Sequence, residues 1–176
     1  MTEQFVVANG LRLAYDEFGK PEDQVMLLIM GLATQMIAWP ESFCEDLARQ
    51  GYRVIRFDNR DIGLSEKLET AKPPNIAVAA LLHRLGLPIR VPYTLVDMAD
   101  DTVGLLDALN IDRAHLVGVS MGGMIGQLVT ARFPERVHTF TSIMSSSGNR
   151  RLPAPKPKVT AALMRRPLSD EESYIA

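Results

Sequence analysis

Hydrophobic and polar residues recur along this chain with two different periods, and the two periods predict strands and helices. Alternating segments at 5–8 and 11–15 flank Asn9-Gly10, a pair that favours a tight hairpin turn. The continuous apolar run Val25–Ile29 predicts a strand that is covered on both faces. Three further strands are predicted at 53–57, 114–119 and 137–144.

Apolar positions spaced three and four residues apart predict helices between these strands, at 40–50, 94–110 and 121–132. The second helix opens with a sequence typical of a capping box, Thr94-Leu-Val-Asp97. Its remaining aspartates, Asp100, Asp101 and Asp107, are assigned with Asp97 to a solvated face. Because strands and helices alternate from residue 25 to residue 144, we expect an α/β fold: a mostly parallel sheet with helices on both faces, preceded by an N-terminal hairpin.

Length and composition limit the class of protein. The 176 residues suffice for one domain with a core, and 19 basic against 21 acidic residues give a formal charge of −2, which does not favour nucleic-acid binding. Neither a transmembrane run nor a secretory signal is recognised, and a single cysteine, Cys44, is expected inside a helix–sheet core. We therefore expect a cytoplasmic protein without a membrane partner, a metal or another cofactor.

Ser120 is the strongest candidate for chemistry. It lies in Gly118-x-Ser120-x-Gly122, directly after a predicted strand and directly before a predicted helix. A serine on such a sharp turn is exposed at the carboxyl end of the sheet and at a helix N-terminus, where negative charge is stabilised. The alternative interpretation is a glycine-rich turn whose serine only caps the helix.

Several motifs together resemble the α/β-hydrolase family over nearly the whole chain. Gly118–Gly123 resembles its nucleophile elbow, and Arg56-Phe-Asp-Asn-Arg-Asp-Ile-Gly-Leu-Ser65 resembles its D-x-R-x-x-G-x-S loop. Met30-Gly31-Leu32 stands where relatives carry His-Gly. The combination of Gly31-Leu32, Trp39-Pro40 and the Arg60–Ser65 loop is similar to the esterase branch that includes aclacinomycin methylesterase.

The resemblance implies roles for particular residues. Ser120 would be the nucleophile, and the backbone N–H groups of Leu32 and Met121 would form the oxyanion hole. Gly31, Gly118 and Gly122 would support these elements, while Met30 and Met36 would contribute to a pocket for an apolar acyl or alcohol group. The loop residues Arg60, Asp61, Gly63 and Ser65 are expected to be structural, with Asp58 and Arg60 hydrogen-bonded to each other.

The base and the acid are harder to place. The family orders its triad Ser…Asp/Glu…His, yet the single histidine after Ser120, His138, begins a strand and should lie some 20 Å from that strand's catalytic end, at ~3.3 Å per residue. His115 has the same disadvantage, and His83 lies in a segment expected to form a flap. None of the later acids, at 135 and 170–172, follows a recognisable strand.

The chain therefore resembles the first part of a hydrolase: a core at 1–148 with a flap excursion at 66–93, followed by the start of a cap at 149–176. Three explanations stay open: a cleaved or truncated piece, a reading frame that ends here, or a protein that has lost catalysis. The expected substrate is a small ester. The second expected partner is either a complementary C-terminal segment or a second chain, and it supplies the acid and the histidine and covers the edge strand 137–144. Two functional alternatives stay open: a non-enzymatic binding protein, and an enzyme of the same scaffold that hydrolyses C–C bonds or amides or acts as a perhydrolase.

Overall fold

The computed structural model describes residues 4–68 and 91–149, with the single residues 87, 152, 156 and 158. Strands β1 (Gln4–Ala8) and β2 (Leu11–Phe18) form the N-terminal hairpin. Its turn residues Asn9 and Gly10 have φ of 50° and 78°, so the tight hairpin turn predicted from this pair is confirmed. The predictions at 66–93 and 149–176 fall largely outside the described residues, and so does His83.

Strands and helices alternate after the hairpin. Their bounds are β3 (Gln24–Ile29), α1 (Glu41–Arg49), β4 (Tyr52–Phe57), α2 (Leu95–Ala108), β5 (Ala114–Val119), α3 (Met121–Arg132) and β6 (Val137–Ile143), with short 3-10 turns at Met36–Ala38 and Pro134–Arg136. The predicted strands and helices are confirmed, with ends that differ by at most two residues, except that β2 extends three residues beyond its predicted end at Tyr15. The capping box is also present: Val96 N–H donates to the Thr94 hydroxyl, and Thr94 N–H donates to the Asp97 carboxylate.

The six strands form one sheet in the order β1-β2-β4-β3-β5-β6. The hairpin pairs antiparallel with β4, whereas β4, β3, β5 and β6 are parallel to one another. The expected α/β fold is therefore confirmed. Because the four parallel strands share one direction, their carboxyl ends meet at one edge of the sheet, which is where ligands bind in such folds.

Two apolar cores lie on opposite faces of the sheet. Side chains such as Leu27, Ile55 and Leu116 pack against α2 and α3, whereas Leu28 and Val54 pack against α1. Cys44 of α1 is fully buried in the second core, as its position predicted. Burial raises the pKa of its thiol, which fits a packing role.

One prediction about charged residues is wrong. Asp101 does not lie on a solvated face of α2: it is 2% exposed and binds Arg60 with both oxygens, at 2.6 Å from Nε and from Nη2. Arg60 consequently pairs with α2 and not with Asp58. The helical period alone missed this contact because the loop after β4 folds over the inner side of α2 and buries both charges.

Candidate active site

Ser120 occupies a strained turn between β5 and α3. Its φ of 53° and ψ of −118° lie in a region that residues with a side chain rarely adopt. Its N–H donates to the carbonyl of Ile143 at 2.9 Å, which ties the turn to the end of β6. The side chain is exposed and makes no hydrogen bond that caps α3. The geometry thus favours a presented hydroxyl over a helix cap.

Two glycines allow this turn to form. A Cβ atom on Gly118 would lie 2.4 Å from the carbonyl oxygen of Gly122, and a Cβ on Gly122 would lie 2.1 Å from that of Ile29. Both clashes are with backbone, which cannot move aside without displacing a strand or a helix. Gly118 and Gly122 are therefore required by close packing around the serine.

The segment after β3 lies directly against Ser120. A Cβ atom built on Gly31 would be 3.2 Å from the Cβ of Ser120 and 3.7 Å from its Oγ. Leu32 follows, and its side chain is 66% exposed. Among the described residues, the N–H groups of Leu32 and Met121 donate no hydrogen bond. Two amides that have no acceptor within the described part of the chain therefore belong to residues close to Ser120, on two different elements.

Leu32 and Met121 line the same cleft, which has a volume of about 380 Å³. The other lining residues are mostly apolar or aromatic: Ala33, Arg60, Ile62, Val91, Tyr93, Thr94, Leu95 and Met98. The cleft lies between the segment after β3, the loop after β4 and the first turns of α2 and α3. Its composition suits an uncharged, apolar group with few hydrogen-bonding atoms.

The polar groups of the cleft are neutral or paired. Burial alone would lower the pKa of Arg60, but the hydrogen bonds and charge of Asp101 outweigh it and raise that pKa. The Arg60 guanidinium also lies 5.0 Å from the ring centre of Tyr93. Burial and a hydrogen bond with Asp61 raise the pKa of Tyr93 to about 12, so its hydroxyl stays protonated at neutral pH. Among the lining residues that the structure describes, none consequently presents an unpaired charge to a ligand.

Met30 and Met36 were predicted to line the pocket, but the structure places them elsewhere. They are 7% and 2% exposed, and neither lines the cleft that Leu32 and Met121 share. Met30 packs in the core beneath α1. Met36 is buried beside the loop after β4, and its N–H donates to the Asp58 carboxylate of that loop.

The two described histidines lie at the other end of the sheet. His115 Nδ1 is 2.8 Å from the hydroxyl of Thr139 and its Nε2 is 3.3 Å from Gln24, which begins β3. The rings of His115 and His138 are 5.1 Å apart. Burial and the neighbouring His138 lower the pKa of His115. Since Ser120 follows the carboxyl end of β5, neither ring is placed to take its proton.

Sequence reasoning paired Asp58 with Arg60 and gave Asn59 no role, whereas the structure brings both Asp58 and Asn59 into contact with the segment after β3. Asp58 and Asn59 are 2% and 3% exposed, and both reach from the end of β4 into that segment. For Asn59 the signal was its position, because polar residues directly after a buried parallel strand lie at the ligand-binding edge of the sheet.

Comparison with known proteins agrees with this geometry. A family model described as the alpha/beta hydrolase fold matches residues 24–172. The chain belongs to the α/β-hydrolase family. It is 33% identical over 147 residues to rhodomycin D methylesterase DauP of Streptomyces sp. strain C5, a match that covers 84% of the chain and 43% of that relative. The esterase branch suggested by the motifs is thereby supported.

Two further similarities point to hydrolases. The chain is 28% identical to 3-oxoadipate enol-lactonase 2 of Acinetobacter baylyi, over 74% of this chain and 40% of the relative. It also superimposes on a hydrolase from Pseudomonas aeruginosa with a TM-score of 0.66 and 27% identity, covering 93% of this chain and 54% of the other. The chain spans less than half the length of the curated relatives named here. In the part of the chain that the structure describes, no helix combines the length and the apolar character needed to cross a bilayer.

Proposed function

We propose that this chain forms the nucleophile half of a serine hydrolase that acts on carboxylic esters. The observation that carries the proposal is the exposed Ser120 on its strained turn, next to a cleft that the two amide-bearing residues Leu32 and Met121 share. A nucleophile and two preorganised N–H donors are two of the three parts that acyl transfer by serine requires.

The chemistry follows from these positions. The Ser120 Oγ attacks the ester carbonyl carbon, and its proton passes to a histidine supplied from outside the described residues. The carbonyl oxygen becomes negatively charged and accepts hydrogen bonds from the Leu32 and Met121 amides, each worth on the order of 3 kcal/mol in the transition state. Collapse breaks the ester C–O bond and releases the alcohol with the proton from the histidine. Water then hydrolyses the acyl-serine and frees the carboxylic acid.

The missing base defines the partner in this proposal. A complementary C-terminal segment, or a second chain, contributes the acid and the histidine and pairs with β6, which is an edge strand among the described residues. The cleft lining is mostly apolar, and the charge of Arg60 is paired with Asp101, which favours esters with an apolar substituent. Since DauP is named a methylesterase, methyl esters are the first substrates to test.

Covalent labelling tests the nucleophile. A fluorophosphonate should label Ser120 when the complementary segment is present, and Ser120→Ala should abolish both labelling and ester turnover. Peptide mass mapping identifies the modified residue, and Ser145→Ala serves as the control, because Ser145 follows β6 at the same edge of the sheet. A folded complex that is not labelled, or that is labelled equally after Ser120→Ala, would refute the proposal.

Turnover assays separate esters from other substrates. Amide or C–C bond hydrolysis uses the same serine, so labelling alone does not distinguish these reactions. Turnover of matched methyl ester, amide and diketone substrates with one acyl group should rank the ester first. An amide or diketone cleaved faster than its ester would reassign the reaction while leaving Ser120 as nucleophile.

A further inference from the structure

The segment that carries the Leu32 amide has little packing of its own. Leu32 and Ala33 are exposed, and Ala33 has a φ of 52°. Within the segment, the Thr34 hydroxyl donates to the Leu32 carbonyl at 3.0 Å. An exposed backbone segment held only by one local hydrogen bond would not keep an N–H group in the fixed position that oxyanion stabilisation requires.

Two neighbouring side chains hold this segment at both of its ends. The Asn59 side-chain amide donates to the carbonyl of Met30 at 3.2 Å, just before Gly31. The Asp58 carboxylate accepts from the N–H of Met36 at 2.7 Å, four residues after Leu32. Both contacts are buried, where a hydrogen bond is stronger and its loss is more costly than at the surface.

Asp58 is itself held from the opposite side. Its second oxygen accepts from the N–H of Leu64 at 2.9 Å. Gly63 leaves room for this carboxylate, since a Cβ there would lie 1.9 Å from Oδ2. The Ser65 hydroxyl donates to the Asp58 carbonyl at 2.6 Å and accepts from the N–H of Ala14 in β2 at 2.9 Å. The frame that holds the segment therefore extends back to strand β2.

We infer that Asn59 and Asp58 are positioning residues for the oxyanion hole: they keep the backbone between Met30 and Met36 in the conformation that turns the Leu32 amide toward the acyl oxygen beside Ser120. Neither side chain touches substrate. The inference rests on the proposed ester hydrolysis and adds to it the residues that preorganise one of its two donors.

The test separates positioning from general stability by a split between kcat and KM. Asn59→Ala removes the donor to Met30, and Asp58→Asn removes one of the two bonds that the carboxylate accepts. With the complementary segment present, each variant should lower kcat for a methyl ester about tenfold or more, a fraction of the 10²–10³-fold effect of deleting a donor, and leave KM within about twofold. Affinity for a trifluoromethyl ketone, which forms a tetrahedral adduct on serine, should fall in parallel with kcat.

Thr102→Val is the matched control, because Thr102 is also fully buried and polar but bonds only within α2. It should lower the free energy of unfolding without changing kcat. If Asn59→Ala does not fold, Asp58→Asn decides the question. The positioning role is overturned, while the proposed function stands, if a folded Asn59 or Asp58 variant keeps a kcat within twofold of wild type. It is also overturned if the kcat of that variant falls no further than the kcat of Thr102→Val. Absence of ester turnover in the wild-type complex would instead overturn the proposed function, and the inference with it.

Discussion

The ion pair formed by Arg60 and Asp101 allows us to ask how much burial changes the energetic cost of breaking an ion pair. Its side chains are 9% and 3% exposed, and its two N–O distances are 2.6 Å. The neighbouring residue on α2, Asp100, forms a pair of nearly the same length with Arg132, at 2.7 Å, but there the exposures are 35% and 39%. The two pairs thus differ in their access to water and in the number of their contacts, since Arg60 binds Asp101 through two nitrogens and Arg132 binds Asp100 through one.

This difference predicts unequal costs for the same substitution. Asp101→Ala leaves the Arg60 guanidinium buried without a counter-charge and should cost about 3–5 kcal/mol, whereas Asp100→Ala should cost about 0.2–1 kcal/mol, since water solvates the released arginine. At 1.4 kcal/mol per factor of ten, the unfolding equilibrium changes by more than a hundredfold in the first case and by less than tenfold in the second.

Urea unfolding followed by the fluorescence of Trp39, the single tryptophan, and by circular dichroism measures both costs. Because Asp101 also accepts a hydrogen bond from Asn9, Arg60→Met and the double variant Arg60→Met/Asp101→Leu complete the experiment. The double variant should be more stable than Asp101→Ala, since it buries no unpaired charge. Equal costs for the two alanine variants, within 1 kcal/mol, would refute the reasoning that burial controls the energy of this pair.

Three further outcomes follow from contacts at the edge and in the cores. Gly122→Ala should destabilise the protein by more than the ~1–3 kcal/mol typical of overpacking, because its Cβ would meet a backbone oxygen at 2.1 Å. Gly126→Ala in the same helix should destabilise it less, because its Cβ would meet an aromatic ring that can rotate, and thermal unfolding compares the two variants. The buried Cys44 should react with a disulfide reagent only as the protein unfolds, so a reaction in the absence of urea would contradict the burial of its thiol. Hydrogen bonds to the Thr94 side chain and backbone lower the pKa of Asp97, so its contribution to stability is present above the ordinary pKa of an aspartate and is lost as the pH falls through the lowered pKa. Asp97→Asn should therefore lower the free energy of unfolding at pH 7 and match wild type at a pH below the lowered pKa. An equal difference in the free energy of unfolding at both pH values would exclude this linkage.

The local pattern of the chain determined most of its secondary structure. Asn9-Gly10 specifies a turn with positive φ, and the capping residues at Thr94 and Asp97 specify where α2 begins, because both effects act within a few residues. The alternation of strands and helices then implies a parallel sheet, and the glycines around Ser120 indicate the close approach that an exposed nucleophile on a sharp turn requires.

The tertiary structure alone decided which polar groups meet. The sequence period assigned Asp101 to solvent, yet the loop after β4 crosses α2 and buries it against Arg60. Likewise, Asp58 and Asn59 reach the backbone of the segment after β3 because β3 and β4 are neighbouring parallel strands, although 22 and 29 residues separate the bonded partners. A helical or strand period records only which side of an element is apolar. Which residue of another element a polar side chain meets depends on strand order and on the paths of the loops, and both are set by the packing of the whole domain.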